Sequence, residues 1–397
     1  VEVVSPRDLD RALVDLLGPI RHPSRSWREN LPVIEQTAET VADIARTLAA
    51  RPDGEELGYW AEALLATVQG HRSDHEVGQD QARRHQLDSR LAVLADQTAG
   101  MAAAMDFSFL LDPDNKLLAV GYRVTDSALD ESHYDLLASE ARLASFVGIA
   151  KGDLPPSHWF RLGRSMTPMG TEAALISWSG SMFEYLMPLL VMRSPPESIL
   201  DTTYRVVVER QIAYGKERQI PWGISEAAYA ARDFRLTYQY RAFGVPGLGF
   251  ERGLSEDLVV APYATMLAAM VDPRPAVANL TRLHGMGAMG TYGYYESLDF
   301  TPTRRPESEG VVLVRAYMSH HQAMSLVAVA NVVFAGFARR LFHSEPSVRA
   351  AELLLHERIP RDVEVARPRA EEVAEAARPL PEAKGVVRRL SSPHSPV

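Results

Sequence analysis

Apolar residues recur at three- and four-residue spacing over 33–50, 55–70 and 81–105. That period predicts two or three amphipathic helices before residue 106. Pro32 stands where the first of them is expected to begin. Next come two short β-like runs, 107–111 and 117–124, on either side of Asp112-Pro113-Asp114-Asn115. Such turn chemistry between extended runs predicts a hairpin. Beyond it the helical period dominates, over 132–151 with Asp130 as N-cap, then over 181–192, 197–218, 255–270, 275–284, 311–334 and 347–357. The intervening stretches 178–180, 220–224, 243–253 and 285–303 are rich in Gly, Pro and aromatic residues. Long helices joined by such loops are expected of an all-α fold of the α/α-barrel type, with the loops lining one mouth. Residues 1–105 are expected to pack on that barrel or complete it, and 106–360 to form the barrel itself. The tail from 361 to 397 is dense in Pro, Arg, Glu and Ala and has weak periodicity, so it reads as a linker.

Composition narrows the class. Of 397 residues, 46% are apolar and 23% charged, enough for a large globular core. The net charge is −9 and no basic patch is interleaved with aromatics, which argues against nucleic acid as a partner. No run of 18 apolar residues occurs; the longest apolar stretch, 326–338, is broken by Asn331 and reads as a buried helix. Cysteine is absent, which excludes disulfides, zinc–thiolate sites and a thiol nucleophile. The opening Val1-Glu2-Val3-Val4 has no Met and no signal-peptide pattern, so the chain reads as a piece of something longer.

Chemistry is concentrated in a few isolated carboxylates. Glu140 and Arg142 are the only charges between Asp135 and Lys151, in a stretch that is apolar in nearly every direction. A carboxyl desolvated there has a raised pKa, as a general acid requires. The alternative is a structural ion pair with Arg142 or Arg164. Glu226 follows Pro221-Trp222-Gly223-Ile224-Ser225. If Ser225 caps a helix, the helix dipole favours ionised Glu226, suited to act as nucleophile or base beside Trp222; an ordinary first-turn glutamate is the alternative. Glu184 and Glu296 are similar isolated acids, each open to a role as sugar-hydroxyl ligand or as a buried structural acceptor. Trp178, Phe183, Trp222, Tyr240, Tyr292 and Tyr294 fall in or beside the Gly-rich loops, where rings stack on sugars unless they are core. Arg241, His320, His321 and Gln322 are candidate hydroxyl ligands.

Three motifs are discounted. Gly285-Met-Gly-Ala-Met-Gly290 matches G-x-G-x-x-G but follows a helix, with no βαβ unit, so it reads as a helix end and loop; no dinucleotide or other cofactor is expected. His320-His321 suggests a metal. Adjacent residues on a helix diverge by about 100°, and no third ligand sits at a recognised spacing, so no metal is expected. Ser225 lacks the second glycine of a nucleophile elbow.

Several stretches resemble the cyclisation region of bacterial cyclic β-1,2-glucan synthases: 133–151, 158–164, 177–188, 221–229, 236–249, 257–262, 292–301, 315–330 and 348–360. The resemblance is dense over 110–360. It implies an (α/α)₆ barrel similar to endo-β-1,2-glucanases, and retaining transglycosylation of linear β-1,2-glucan into a ring. By motif, the nucleophile falls on Glu226 in Trp-Gly-Ile-Ser-Glu and the acid/base on Glu140 in Ala-Ser-Glu-Ala-Arg. It also implies glycosyltransferase and phosphorylase-like modules in one membrane-bound synthase, on the cytoplasmic side of the inner membrane. The tail Ser391-Ser-Pro-His-Ser-Pro396 looks like the junction into the phosphorylase-like module. An endo-β-1,2-glucanase on the same fold and a non-catalytic glucan-binding module are the competing expectations.

Overall fold

A computed structural model describes residues 4–21, 26–49, 55–169, 172–306 and 310–359. The tail expected to be a linker lies outside the described residues. The chain divides into two compact units, Val1–Met105 and Asp106–Val397.

The first unit consists of four described helices: α1 Pro6–Arg21, α2 Trp27–Ala49, α3 Glu55–Gln79 and α4 Gln81–Ala104. The helical period anticipated the last three, but not α1. Its start is secured by Asp8, which accepts from Ser5 N and Ser5 Oγ at 2.8 and 2.7 Å. Leu9, Ala12 and Leu16 then line one buried face. Ala38, Val41, Ala42 and Ala45 of α2 are all buried, and such small side chains let helices approach closely. The start of α2 is a capping box, with Glu29 N donating to Ser26 Oγ and Ser26 N to Glu29 Oε2. Pro32 therefore lies inside the helix rather than ahead of it.

The second unit is helical with small sheets between the helices. Its described helices are α5 Arg142–Lys151, α6 Met182–Leu186, α7 Ile199–Glu217, α8 Pro262–Ala268, α9 Pro273–Gly285, α10 Ser319–Val333, α11 Phe337–Phe342 and α12 Pro346–Ala351. Five two-stranded antiparallel pairs accompany them. They are β1 Leu118–Ala119 with β4 His133–Tyr134, β2 Tyr122–Arg123 with β3 Ala128–Leu129, β5 Met166–Met169 with β6 Glu172–Leu175, β7 Ala227–Arg232 with β8 Tyr238–Arg241, and β10 Met289–Gly290 with β11 Gly293–Tyr294. A three-stranded sheet joins β9 Val259–Val260, β12 Ser297–Asp299 and β13 Val312–Val314 in the order β13-β12-β9.

The helical period overstates helix here. Of 132–151 only α5 is helical, because His133 and Tyr134 pair with β1 instead. Val312–Val314 is drawn into the three-stranded sheet, where a short apolar run is as content as in a helix. The turn at Asp112 forms as expected, with Asp114 N donating to Asp112 Oδ1 at 2.7 Å. Its flanks do not make a full hairpin: a single bridge, Leu111 to Leu118, joins them, and β1 and β2 take later partners. No helix among the described residues is long and apolar enough to cross a membrane.

One core runs through this unit, from Leu137, Phe146 and Trp159 through α6–α8 to Met324 and Leu355. Two loops cross at its edge. Ser177 and Gly249 form a parallel bridge, and a Cβ on Gly244 would sit 1.7 Å from the Ser179 carbonyl oxygen. Only glycine permits that crossing, which fixes the loop that carries Trp178 and leads into Glu184.

Candidate active site

Glu140 occupies a turn immediately before α5, not mid-helix, and is half-buried. Its neighbour Ser139 donates to its Oε2 at 3.2 Å. The structural ion pair is not found among the described residues. Arg142 is buried and donates to the carbonyls of Ser139, Glu184 and Tyr185, while Arg164 pairs with Glu357 at 2.6 Å. Burial pushes the Glu140 carboxyl above its ordinary range, and the charges of Glu184 and Glu226 add to the push.

Glu226 stands in a bend immediately before β7. The helix start expected from Ser225 does not form, so no helix dipole holds the carboxylate ionised. The reason is local: Ser225 Oγ accepts from Phe183 N at 3.0 Å and bonds Tyr263 Oη at 2.8 Å, so it is not free to cap. Just upstream, Gly223 has φ +115°, and a Cβ there would meet Thr265 Oγ1 at 2.9 Å. Burial pushes the Glu226 carboxyl up; the opposing influences are a hydrogen bond from Tyr240 and the charge of His321. Tyr240 Oη donates to Glu226 Oε1 at 2.6 Å.

A buried relay stands behind that bond. His321 Nε2 lies 3.3 Å from Tyr240 Oη, and His321 Nδ1 donates to Glu296 at 3.0 Å. The imidazole stacks on Tyr263, with ring centres 3.7 Å apart and planes at 12°. The Tyr263 hydroxyl also donates to the Glu226 carbonyl at 3.0 Å. Tyr263 was not anticipated. In the run Ala261-Pro-Tyr-Ala-Thr it carries no signal beyond that of a core aromatic. A cavity of about 230 Å³ opens beside His321, walled by Tyr263, Tyr294, Tyr295, Glu296 and Gln322.

The remaining candidates divide by their surroundings. Trp178 and Tyr292 are each 63% exposed, and the Tyr292 ring also meets Tyr317 in a T-shaped contact with centres 5.8 Å apart. His320 is exposed, and burial of part of its ring pushes its pKa down. Trp222, expected to stand beside the carboxylate facing a sugar, is 7% exposed and belongs to the core. Asn279 pins its backbone, accepting from Trp222 N at 3.2 Å and donating to Trp222 O at 2.8 Å. Phe183 is partly buried against the same core. Glu184 is consumed by serines: Ser177 Oγ, Ser179 Oγ and Ser181 N all donate to its Oε2, at 2.9, 2.6 and 3.1 Å. Tyr294 donates to the Leu280 carbonyl, Gln322 to the Tyr294 carbonyl, and Arg241 faces Asp257 and Glu251.

Donor atoms of Glu226, His320 and His321 lie within 4.8 Å of one another, so these three could converge on a cation. Glu226 reaches the two histidines from a distant segment of the chain, which spacing along the sequence does not register. The carboxylate behind His321 is the kind of partner that orients a ligating imidazole.

Residues 132–346 match the family model Glycoamylase, described as "Putative glucoamylase". The chain is 53% identical over 312 residues to the cyclic β-(1,2)-glucan synthase NdvB of Rhizobium meliloti (strain 1021), a match covering 78% of this chain. It spans only 11% of that relative's length. A solved structure from Bacteroides uniformis ATCC 8492, carrying the same description as the family model, superimposes with a TM-score of 0.50 at 12% identity, over 87% of this chain and 86% of that one. That likeness is one of fold. An endo-β-1,2-glucanase from Talaromyces funiculosus, solved with sophorose, aligns over 92% of this chain and 84% of its own, with a TM-score of 0.49 and 12% identity.

Proposed function

The chain belongs to the glycoamylase family, and on that premise we propose that it is a retaining transglycosylase which cuts linear β-1,2-glucan and closes it into a ring. The observation that carries this reading is the pair Glu140 and Glu226. Both are half-buried, both are pushed up by burial, and neither is paired with a cation among the described residues. The 53% identity to a cyclic β-(1,2)-glucan synthase supports the substrate. In the same reading the helices of the second unit belong to an (α/α)₆ toroid. The chain then works beside glycosyltransferase and phosphorylase-like modules of one synthase, on the cytoplasmic side of the inner membrane.

The chemistry takes two balanced steps. Ionised Glu226 attacks the anomeric carbon as protonated Glu140 gives its proton to the departing 2-oxygen, leaving a glycosyl ester on Glu226. The 2-hydroxyl at the chain's own non-reducing end then attacks the same carbon. Glu140 takes the hydroxyl proton, and Glu226 leaves as carboxylate. Tyr240 selects the ionised, correctly turned form of Glu226 through its short hydrogen bond. His321, braced by Glu296 and Tyr263, holds Tyr240.

Water competes as acceptor, so the sugar hydroxyl must be held in place. Intramolecular positioning supplies effective molarities on the order of 10⁵ M or more. The exposed rings of Trp178 and Tyr292 are suited to that task.

The test is to incubate the protein with linear β-1,2-glucan and weigh the products. A ring is lighter by one water than a linear chain of the same length. Linear products alone, first released with inverted stereochemistry, would instead mark an endo-β-1,2-glucanase. No product from the wild type would leave a glucan-binding module.

A further inference from the structure

A second cavity of the same unit is built with the opposite charge. It measures about 470 Å³, and its wall includes Arg193, Ser194, Arg339, Arg340, His343 and Glu352. Its position is distal. The first turn of α10 carries His320 and His321, whereas the cavity is bordered by Ala335 and Gly336 just past the other end of that helix. At 1.5 Å per residue the separation is roughly 20 Å.

Three guanidiniums face one carboxylate there, in a chain of net charge −9. That carboxylate is already engaged. Glu352 Oε1 lies 2.5 Å from His343 Nδ1 and 3.6 Å from Arg193 Nη1. Arg340 donates to the Ala335 carbonyl. Arg339 is different: among the described residues no ion pair reaches it, and its Nε is buried without a hydrogen-bond partner. Ser194 Oγ is likewise buried and unpartnered. Both residues also border a neighbouring cavity of about 310 Å³ lined by Asp201, Glu209 and Asp272, yet among the described residues none of these acids forms an ion pair with the guanidinium. Burial pushes the Arg339 pKa down, which is the cost of a desolvated cation lacking a counter-charge.

Buried donors of this kind are rarely left empty-handed. A planar guanidinium with an unused Nε matches the fork geometry that binds tetrahedral oxyanions through two parallel hydrogen bonds. We propose that this cavity is a phosphate-binding site, in which Arg339 grips the anion, Ser194 donates a third hydrogen bond and Arg340 supplies further positive charge. The ligand is either free phosphate or the phosphate group of an ester.

Isothermal titration of the full chain with inorganic phosphate and, separately, with methyl phosphate tests this, at constant ionic strength set with chloride. The expected result is saturable one-to-one binding. Binding of both probes identifies an ester-tolerant site; binding of inorganic phosphate alone identifies the free anion. Arg339→Met should weaken binding about tenfold or more, as loss of a charge-assisted contact does, while Arg339→Lys retains part of it. Arg340→Met, at an exposed position, should weaken it less, and it decides the matter if Arg339→Met does not fold. Non-saturable heats, or equal binding by wild type and both methionine variants, would mean an adventitious ion only and overturn the proposal.

Discussion

The loop leading to Glu184 and the loop leading to Glu226 share a texture in sequence, each placing a lone acid after Trp, Gly and Ser, and they come to opposite chemical ends. Around Glu184, serines 177, 179 and 181 converge, and the carboxylate closes a capping box at the start of α6. Its Oε2 accepts from all three serines and its Oε1 from Ser179 N, all from its own neighbourhood. Around Glu226 the local serine turns away to Phe183 and Tyr263, and among the described residues a single side chain, Tyr240, donates to the carboxylate. The first acid is a structural tie. The second is desolvated yet unsaturated, the condition in which a carboxylate can still react.

The largest effect expected from breaking this contrast is on turnover. Glu226→Gln should lower the rate on linear β-1,2-glucan by on the order of 10⁴-fold or more, as removal of a covalent nucleophile does. Glu140→Gln should cost about 10²–10⁴-fold, the usual contribution of a general acid. A rate assay on purified variants that found either within a few-fold of wild type would end the assignment. Glu184→Ala should act on stability instead. It strands buried serine donors and costs about 2–4 kcal/mol in denaturant unfolding, while surviving folded protein keeps its activity.

Tyr240→Phe sharpens the comparison further. Without the 2.6 Å bond the Glu226 pKa rises again, so the acid limb of the pH–rate profile moves to higher pH and kcat falls about tenfold. The smallest effect is a gain. Because the folded protein holds the Glu140 carboxyl above its unfolded value, folding binds a proton in the window between the two, and stability falls as pH rises through it. Glu140→Gln removes that loss. Its melting temperature should exceed that of wild type by about 2–4 °C per kcal/mol recovered above the window, and approach it only near or below about pH 3, where both states are protonated.

The legible part of the fold was the part with a single strong period. Helices α2, α3, α7 and α9 follow from spacing, caps and Pro or Gly punctuation. The hidden part was short and apolar. Val312–Val314 and His133–Tyr134 look like extensions of neighbouring helices until partners distant in the chain pair with them. The same limit governs the site. Glu140 and Glu226 stand out in sequence because each is the rare charge in an apolar stretch, and Trp178 and Tyr292 because they mark Gly-rich loops. Trp222 looked equally exposed and is core, since Asn279, more than fifty positions away, ties down its backbone.

By itself, then, the chain determined which residues are chemically conspicuous and which segments coil, because isolation of a charge and periodicity of apolar residues are properties of neighbours along the backbone. Only the tertiary structure decided which acid is tied to serines and which meets a single tyrosine donor, that Tyr263 and Glu296 brace His321, and that the Nε of half-buried Arg339 is left without a partner. Those outcomes depend on hydrogen-bond partners and desolvation supplied by segments far away in the chain, and no local pattern encodes them.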